Sequence, residues 1–416
     1  MTGGPFPFSE RPGSADGSMK FFIRTLGCKM NGLDSARLRA ALLHGGHEEA
    51  GREEEADYVV VNSCTVTAEA DRKSRQAVNA AGRRRQRVAV TGCGPRVDPE
   101  RWHQQAGDAV FPSGEALLDH LGAPVDALPF PVHGRTRAPV AVQQGCDNRC
   151  SFCITRLARG AHRSLPAEEV VAQVRQAEAA GAREVVLTGI NLAAWGAEDS
   201  NAAAAARLHE LLEAVLGGTT IPRIRLSSLG PQYLGPGFFR VFADPRICDY
   251  LHLSVQSGSP EVLRRMDRGH GVEEVLEAAR AARRVRPDVA VAADLIVGFP
   301  GESEADFEQT RALAEEAGLA KLHVFPYSAR AGTPAAEWGP VVAAPEKKRR
   351  AARLRETGRG LRRAFLQRQY GRPAEVLAEA GGTGLTGNYI RVHTAGSPAG
   401  RLHRLTVTPE QVAERG

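Results

Sequence analysis

Cysteine is scarce in this chain, with seven in 416 residues, and the count is odd. That density is far below what a disulfide-stapled secreted module needs, so the thiols are candidate cofactor ligands in a reducing, cytoplasmic setting. No apolar run approaches the ~20 residues of a membrane-crossing helix, which excludes an integral helical membrane protein, and no membrane partner is expected. The first 18 residues lack the apolar stretch of a secretory signal and, being rich in Gly, Pro and Ser, read as a disordered leader. Acidic residues (48) fall short of Lys and Arg (54), leaving a charge of +6 and a pI near 9.1. This permits a polyanionic partner without demanding one. Arginine greatly outnumbers lysine, so a single Arg-rich patch says little. The remainder, 42% hydrophobic and 25% charged, is globular in composition, and the length suggests two to four domains.

From Lys20 to about Ser113, short apolar runs alternate with longer Ala/Arg/Glu-rich segments, the pattern of a parallel α/β sheet. Three of these runs, FFIRTLG, YVVVNS and RVAVTG, lead directly into Cys28, Cys64 and Cys93. Open parallel sheets gather ligands beyond the carboxyl ends of their strands, so these three thiols are expected to converge on one site. Three buried structural cysteines are the plainer alternative.

A further strand, VAVQQG, runs into CDNRCSFC, which places Cys146, Cys150 and Cys153 at CxxxCxxC spacing. Structural zinc normally takes four ligands, and no fourth His or Cys is obvious nearby. A [4Fe–4S] cluster is usually held by four thiolates, so three would leave one iron open to a substrate or cofactor. Zinc and an unrelated cysteine loop stay open as readings. Beyond the loop, REVVLTGIN, RIRLSSL, YLHLSVQSG, VAVAADLIVGF and KLHVFPYSA read as strands separated by helices, giving a partial (β/α)6 barrel. Polar and glycine-rich segments follow them at Thr188–Asn191, Ser227–Ser228, Gln256–Ser259, Gly298–Glu302 and Tyr327–Thr333. That face is where such barrels keep their active sites.

CxxxCxxC within a six-strand partial barrel resembles the radical S-adenosylmethionine superfamily, and three more cysteines in a preceding α/β domain resemble its methylthiotransferase branch. The resemblance runs from about Lys20 to the end of the chain. It implies that Cys146, Cys150 and Cys153 hold a [4Fe–4S] cluster that binds S-adenosylmethionine, and that Cys28, Cys64 and Cys93 hold an auxiliary [4Fe–4S] cluster. It further implies Thr188, Gly189 and Asn191 near the amino group of S-adenosylmethionine, Gln256 and Ser257 near its ribose or carboxylate, and Gly298 under its adenine. Cys248 matches no ligand position and reads as a core thiol. His252 and His270 show no partner in the sequence and are given no acid role.

Within the branch, TLGCKMN, NSCTVTAEADRKSRQ and ARGAHRS are similar to the tRNA enzymes acting on N6-threonylcarbamoyladenosine at position 37. Enzymes for isopentenyladenosine-37 and for a ribosomal-protein aspartate are the alternatives. Met30 and Arg156 depart from residues common in the first type, and neither is an expected cluster ligand. The implied reaction cleaves S-adenosylmethionine to a 5′-deoxyadenosyl radical, takes sulfur from the auxiliary site and a methyl group from a second S-adenosylmethionine, and replaces C2–H by S–CH3. The partners are tRNA, through its anticodon arm, an electron donor and a sulfur source.

The segment EKKRRAARLRETGRGLRRAFLQRQY reads as a basic helix or helix pair interrupted at Gly358 and Gly360, a candidate phosphate contact. Short strands with glycine turns follow and resemble the RNA-binding TRAM domain, with Tyr389 a candidate base stacker or, as an aromatic at a strand position more often is, a core residue, and Arg391, His393, Arg401 and Arg404 candidate phosphate contacts. The expected plan is α/β throughout: leader 1–18, methylthiotransferase domain 19–125, linker 126–136, barrel 137–344, basic segment 345–370 and a small β-barrel 371–416.

Overall fold

The computed structural model describes residues 18–84, 86–123, 136–394 and 396–413. The expected leader up to residue 17 and the expected linker up to residue 135 lie outside the described residues. The chain divides into two compact units. One takes residues 18–123 with 153–161 and 328–333; the other takes 136–152, 162–327 and 334–413.

The first unit is a parallel sheet of β1 (Lys20–Thr25), β2 (Glu48–Glu49), β3 (Tyr58–Ser63) and β4 (Arg87–Gly92) in the order β2-β1-β3-β4. All six residues of β3 are buried, as expected of a central parallel strand covered on both faces. Phe21, Leu42 and Leu117 pack on one face, and Val59, Val61, Val90 and Trp102 on the other. Each fully buried Leu or Phe contributes roughly 2–3 kcal/mol. Cys64 and Cys93 follow β3 and β4 directly, and Cys28 precedes the helix Lys29–His44.

In the second unit β5 (Arg137–Gln144), β7 (Glu184–Gly189) and β8 (Arg223–Leu226) run parallel, with the short β6 (Arg163–Ser164) antiparallel on β5. β9 (Tyr250–Gln256), β10 (Ala290–Val297) and β11 (Lys321–Pro326) form a second parallel set. Single bridges Ile224–Ile247 and Leu229–Leu253 link the two sets, so the six long strands curl into a half-barrel. Along β9 apolar and polar residues alternate between the two faces. Leu251, Leu253 and Val255 are buried, while the half-buried residues are the polar His252, Ser254 and Gln256. The polar set is the lumen side, because His252 meets Asp294 of β10 at 3.0 Å and stacks on His323 of β11 with ring centroids 4.9 Å apart.

The basic segment is one continuous helix, Ala344–Gln369, rather than an interrupted pair. Gly358 does not break it, because that position is where the helix presses on β11. A Cβ there would stand 3.2 Å from Leu322. An antiparallel sheet follows, with β12 (Pro373–Ala378), β13 (Thr383–Thr386), β14 (Arg391–His393) and β15 (Leu402–Thr406) in the order β14-β13-β12-β15. It shares a core with the start of the barrel strands through Tyr250, Ala290, Ala320, Phe365, Val376 and Ile390. Beneath the lumen, the fully buried Glu184 and Arg225 pair at 2.7 Å, and Arg225 donates onward to the carbonyls of Thr386 and Gly387. Burial pushes the Glu184 carboxyl up, and the Arg225 and Arg223 guanidiniums override it, so its pKa ends below the ordinary value. Cys248 lies in this core, 3.8 Å from Glu184 Oε2.

Candidate functional site: two cysteine constellations

In the first unit the three strand ends bring Cys28, Cys64 and Cys93 close enough for their charges to act on one another. Asn31, in the first turn of Lys29–His44, organises them. Its Nδ2 donates to the carbonyls of Leu26 (2.7 Å) and Ser63 (2.8 Å), and its Oδ1 lies 3.9 Å from Cys28 Sγ and 3.8 Å from Cys93 Sγ. The loop before Cys28 turns at Gly27, whose φ of +97° suits glycine and where a Cβ would stand 2.6 Å from both Cβ and Sγ of Cys64. Burial pushes the Cys64 thiol up to about 11 and raises that of Cys93 as well.

Arg159 reaches the same place from the helix Thr155–Arg159. Its Nη1 pairs with Asp34 at 2.7 Å and its Nη2 hydrogen-bonds Asn31 Oδ1. Burial works against its charge, yet Cys93, Asp34 and Cys28 together raise its pKa. Nothing in the sequence names Asn31 or Arg159 as part of this site, although both sit inside the stretches TLGCKMN and ARGAHRS. Three thiols from separate strand ends beside a guanidinium suit an anionic iron–sulfur cluster, in which each thiolate takes its own iron.

In the barrel unit, the loop after β5 carries Cys146 and Cys150, both half-buried. Cys153, also half-buried, opens the stretch 153–161 that belongs to the first unit. Cys150 Sγ accepts from Arg268 Nη1 at 3.2 Å, and the other arm of Arg268 holds the Ser254 carbonyl at 2.7 Å. Ser200 Oγ accepts from the backbone N–H of Asp147 at 2.7 Å and lies 3.9 Å from Cys146 Sγ. Tyr233 ties this loop to the strand ends, with its hydroxyl donating to the Ser200 carbonyl (2.6 Å) and accepting from Asn148 (3.1 Å) and Asn191 (3.0 Å). Asn191 is thereby linked to the cysteine loop. Its own N–H donates to Gln143 Oε1 at 2.7 Å, and Gln143 also fills the space where Gly189 would carry a side chain. Thr188 is buried and its hydroxyl donates to the Val186 carbonyl.

At the end of β9, Gln256 adopts φ +76°, a left-handed conformation that costs a non-glycine residue roughly 1–3 kcal/mol and recurs at functional sites. The register against β10 shifts at this point. Ser257 turns the other way, its hydroxyl meeting Thr310 at 3.2 Å and accepting from Ser259 N–H at 3.1 Å. Gly298 has φ +74°, and the space a Cβ would enter is filled by the stem of Lys347. Glu302 accepts the N–H groups of Gly298 (2.5 Å) and Phe299 (3.0 Å) and pairs with Arg350 at 3.0 Å. Thr188, Ser257 and Gly298 are thus engaged within the fold, Asn191 is tied to the cysteine loop through Tyr233, and Gln256 lies half-buried at the end of β9. His252, partnerless in the sequence, pairs with Asp294.

Of the expected RNA contacts, Tyr389 is packed away, stacked on Tyr250 at 4.5 Å with Arg225 over its ring at 4.9 Å. Arg349, Arg350, Arg353 and Arg359 are held in ion pairs with Glu302, Glu304, Glu308, Glu346 and Glu356. Arg391 pairs with Glu379. Lys348, Arg363, Arg368, Arg401 and Arg404 are exposed and make no ion pair among the described residues. Among those residues no helix is long and apolar enough to cross a membrane.

Comparison with known proteins agrees with this architecture. Residues 140–314 match the radical SAM superfamily, and residues 20–112 match the uncharacterized protein family UPF0004. The chain is 35% identical over 391 residues to a threonylcarbamoyladenosine tRNA methylthiotransferase MtaB of Rickettsia prowazekii, covering 89% of this chain and 90% of the relative. It is 31% identical over 420 residues to the protein of that name from Thermotoga maritima, covering 95% of each. A tRNA-2-methylthio-N(6)-dimethylallyladenosine synthase of Chlorobium luteolum is 35% identical over 388 residues, covering 87% of this chain and 86% of the relative. The radical S-adenosylmethionine methyltransferase TsrM of Kitasatospora setae shares the fold, with a TM-score of 0.55 at 15% identity over 77% of each chain. With relatives this similar over nearly their whole length and two cysteine constellations where the fold places them, the chain belongs to the radical S-adenosylmethionine methylthiotransferases, enzymes of the transferase class.

Proposed function

We propose that this chain replaces C2–H of N6-threonylcarbamoyladenosine-37 in tRNA by a methylthio group, using two [4Fe–4S] clusters and S-adenosylmethionine. The observation that carries the reaction type is the second thiol site at Cys28, Cys64 and Cys93, because a methyl transfer alone has no need of it. The choice of substrate rests on the relatives of that name, which align over about nine-tenths of the chain. When bound at Cys146, Cys150 and Cys153, the open-iron cluster supplies the electron that splits S-adenosylmethionine into the radical that acid–base side chains cannot generate.

The chain's own residues orient and enclose. Asn191 and Gln256 present polar groups at the lumen mouth, Tyr233 and Ser200 hold the cysteine loop in register with the strand ends, and Arg268 places positive charge at Cys150. Gly189 keeps the end of β7 flat against Gln143. The tRNA anticodon arm must bring one splayed-out base to this mouth. A cleft lined by Arg149, Arg264, Arg265 and Trp338 beside the cysteine loop suits phosphate and base contact, and the exposed Lys348, Arg363, Arg368, Arg401 and Arg404 add charge for the arm. A cytoplasmic electron donor and a sulfur source complete the cycle.

The test is nucleoside mass spectrometry of bulk tRNA from cells with and without the gene. Loss of the 2-methylthio-N6-threonylcarbamoyl nucleoside, with its unthiolated precursor accumulating, is the expected result. Loss of the isopentenyl counterpart instead moves the chain to the other tRNA branch, and unchanged tRNA overturns the substrate.

A further inference from the structure

Arg159 is buried more deeply than its carboxylate partner requires. Its side chain is 7% exposed, while that of Asp34 is 30% exposed. A buried guanidinium needs compensation, and one half-exposed carboxylate supplies only part of it. The thiol site is its other neighbour, since Arg159 shares Asn31 Oδ1 with Cys28 and Cys93 and its charge acts on Cys93. The arrangement makes sense when the three sulfurs are thiolates holding a cluster of net negative charge.

We propose that Arg159 is the positioning residue that compensates the charge of the cluster at Cys28, Cys64 and Cys93 and so sets its reduction potential. Asp34 acts as the counterweight that holds the guanidinium and offsets part of its charge. The inference rests on the reading that a cluster is bound there. Reduction adds one electron to an already anionic group, and an adjacent cation favours the reduced form. Net charge and hydrogen bonds to the sulfurs are among the determinants of such potentials. The two residues therefore carry opposite signs: loss of Arg159 makes the cluster harder to reduce, and loss of the Asp34 charge makes it easier.

The experiment uses the full chain with Cys146, Cys150 and Cys153 all changed to alanine, so that one cluster remains. Iron and sulfide are counted per chain, and the midpoint potential is followed by electron paramagnetic resonance during a redox titration. In that background Arg159→Gln is expected to shift the midpoint to more negative potential, Asp34→Asn to shift it to more positive potential, and Arg159→Lys to stay close to the parent. If Arg159→Gln holds no iron, the opposite shift in Asp34→Asn together with retention in Arg159→Lys still supports the inference. Unchanged midpoints in both variants, or shifts of one sign in both, overturn it. A parent protein that binds no iron overturns the second-cluster reading itself, and this inference with it.

Discussion

Cys146, Cys150 and Cys153 lie within one eight-residue loop and stay half-buried, whereas Cys28, Cys64 and Cys93 come from three strand ends, with Cys64 and Cys93 buried. Each constellation meets one guanidinium. Arg268 is half-buried, with one arm on Cys150 and the other on a backbone carbonyl, while Arg159 is enclosed between Asp34, Asn31 and the thiols. The difference follows from what each site must do. A loop that offers one open position to a small cofactor can stay solvated and share its charge with water. At the sheet ends Cys28 is exposed, but Cys64 and Cys93 are buried, and where water is excluded from those two sulfurs the fold supplies a buried cation instead.

The sharpest break of this comparison removes ligands. Cys150→Ala should abolish release of 5′-deoxyadenosine altogether, while Cys64→Ala should leave that release and abolish only the methylthio product. Each variant should lose about four irons per chain. If both variants fail at the first step, the two sites do not divide the labour as argued. Next in size is a pH effect confined to the barrel unit. Burial lowers the pKa of His270 to about 4, its Nε2 meets the Val255 carbonyl at 3.1 Å, and its Nδ1 has no partner among the described residues. Below about pH 6.5 the unfolded chain takes up a proton that the folded ring refuses until near pH 4. Roughly 3 kcal/mol of stability is therefore present above that window and lost as pH falls through it. Urea midpoints across the window should drop in the parent and flatten in His270→Gln.

Gly27→Ala perturbs the sheet-end site without replacing a ligand. It forces a side chain into φ +97° and against Cys64, at a cost of about 2 kcal/mol, read as lost iron at that site with the loop cluster intact. Arg268→Gln removes the charge-assisted bond to Cys150, and 5′-deoxyadenosine release should slow about tenfold, in keeping with the ~1.5 kcal/mol such bonds contribute. The smallest effect is on RNA. Replacing Arg363 or Arg368 by Ala should reduce the slope of log affinity against log salt by roughly one per lost phosphate contact. An unchanged slope would return the RNA contact to another face.

The six barrel strands and the three cysteine-tipped strands were legible because each is a short apolar run punctuated by polar or glycine turns, and the loop cysteines because their spacing is local. The helix Ala344–Gln369 was harder, since Gly358 reads as a break until Leu322 is seen pressed against it. Its arginines read as free charge, because Glu302, Glu304 and Glu308, which hold three of them, come from some 45 residues earlier in the chain. The sequence leaves Tyr389 between base stacking and the core for the same reason: the ring of Tyr250 that covers it is supplied by another element.

Local spacing and hydrophobic period thus determined the strands, the barrel and where the cysteines fall relative to the strand ends, because those properties depend on neighbours along the chain, while the chemistry came from the resemblance of the motifs to a known family. Which guanidinium faces which sulfur, which hydroxyls are consumed inside the fold, and which positive charges remain for RNA were decided only by tertiary packing. Charge compensation and hydrogen bonding act over a few ångströms in space, and the groups that meet at Cys93, at Gly298 and in the lumen come from segments far apart in sequence.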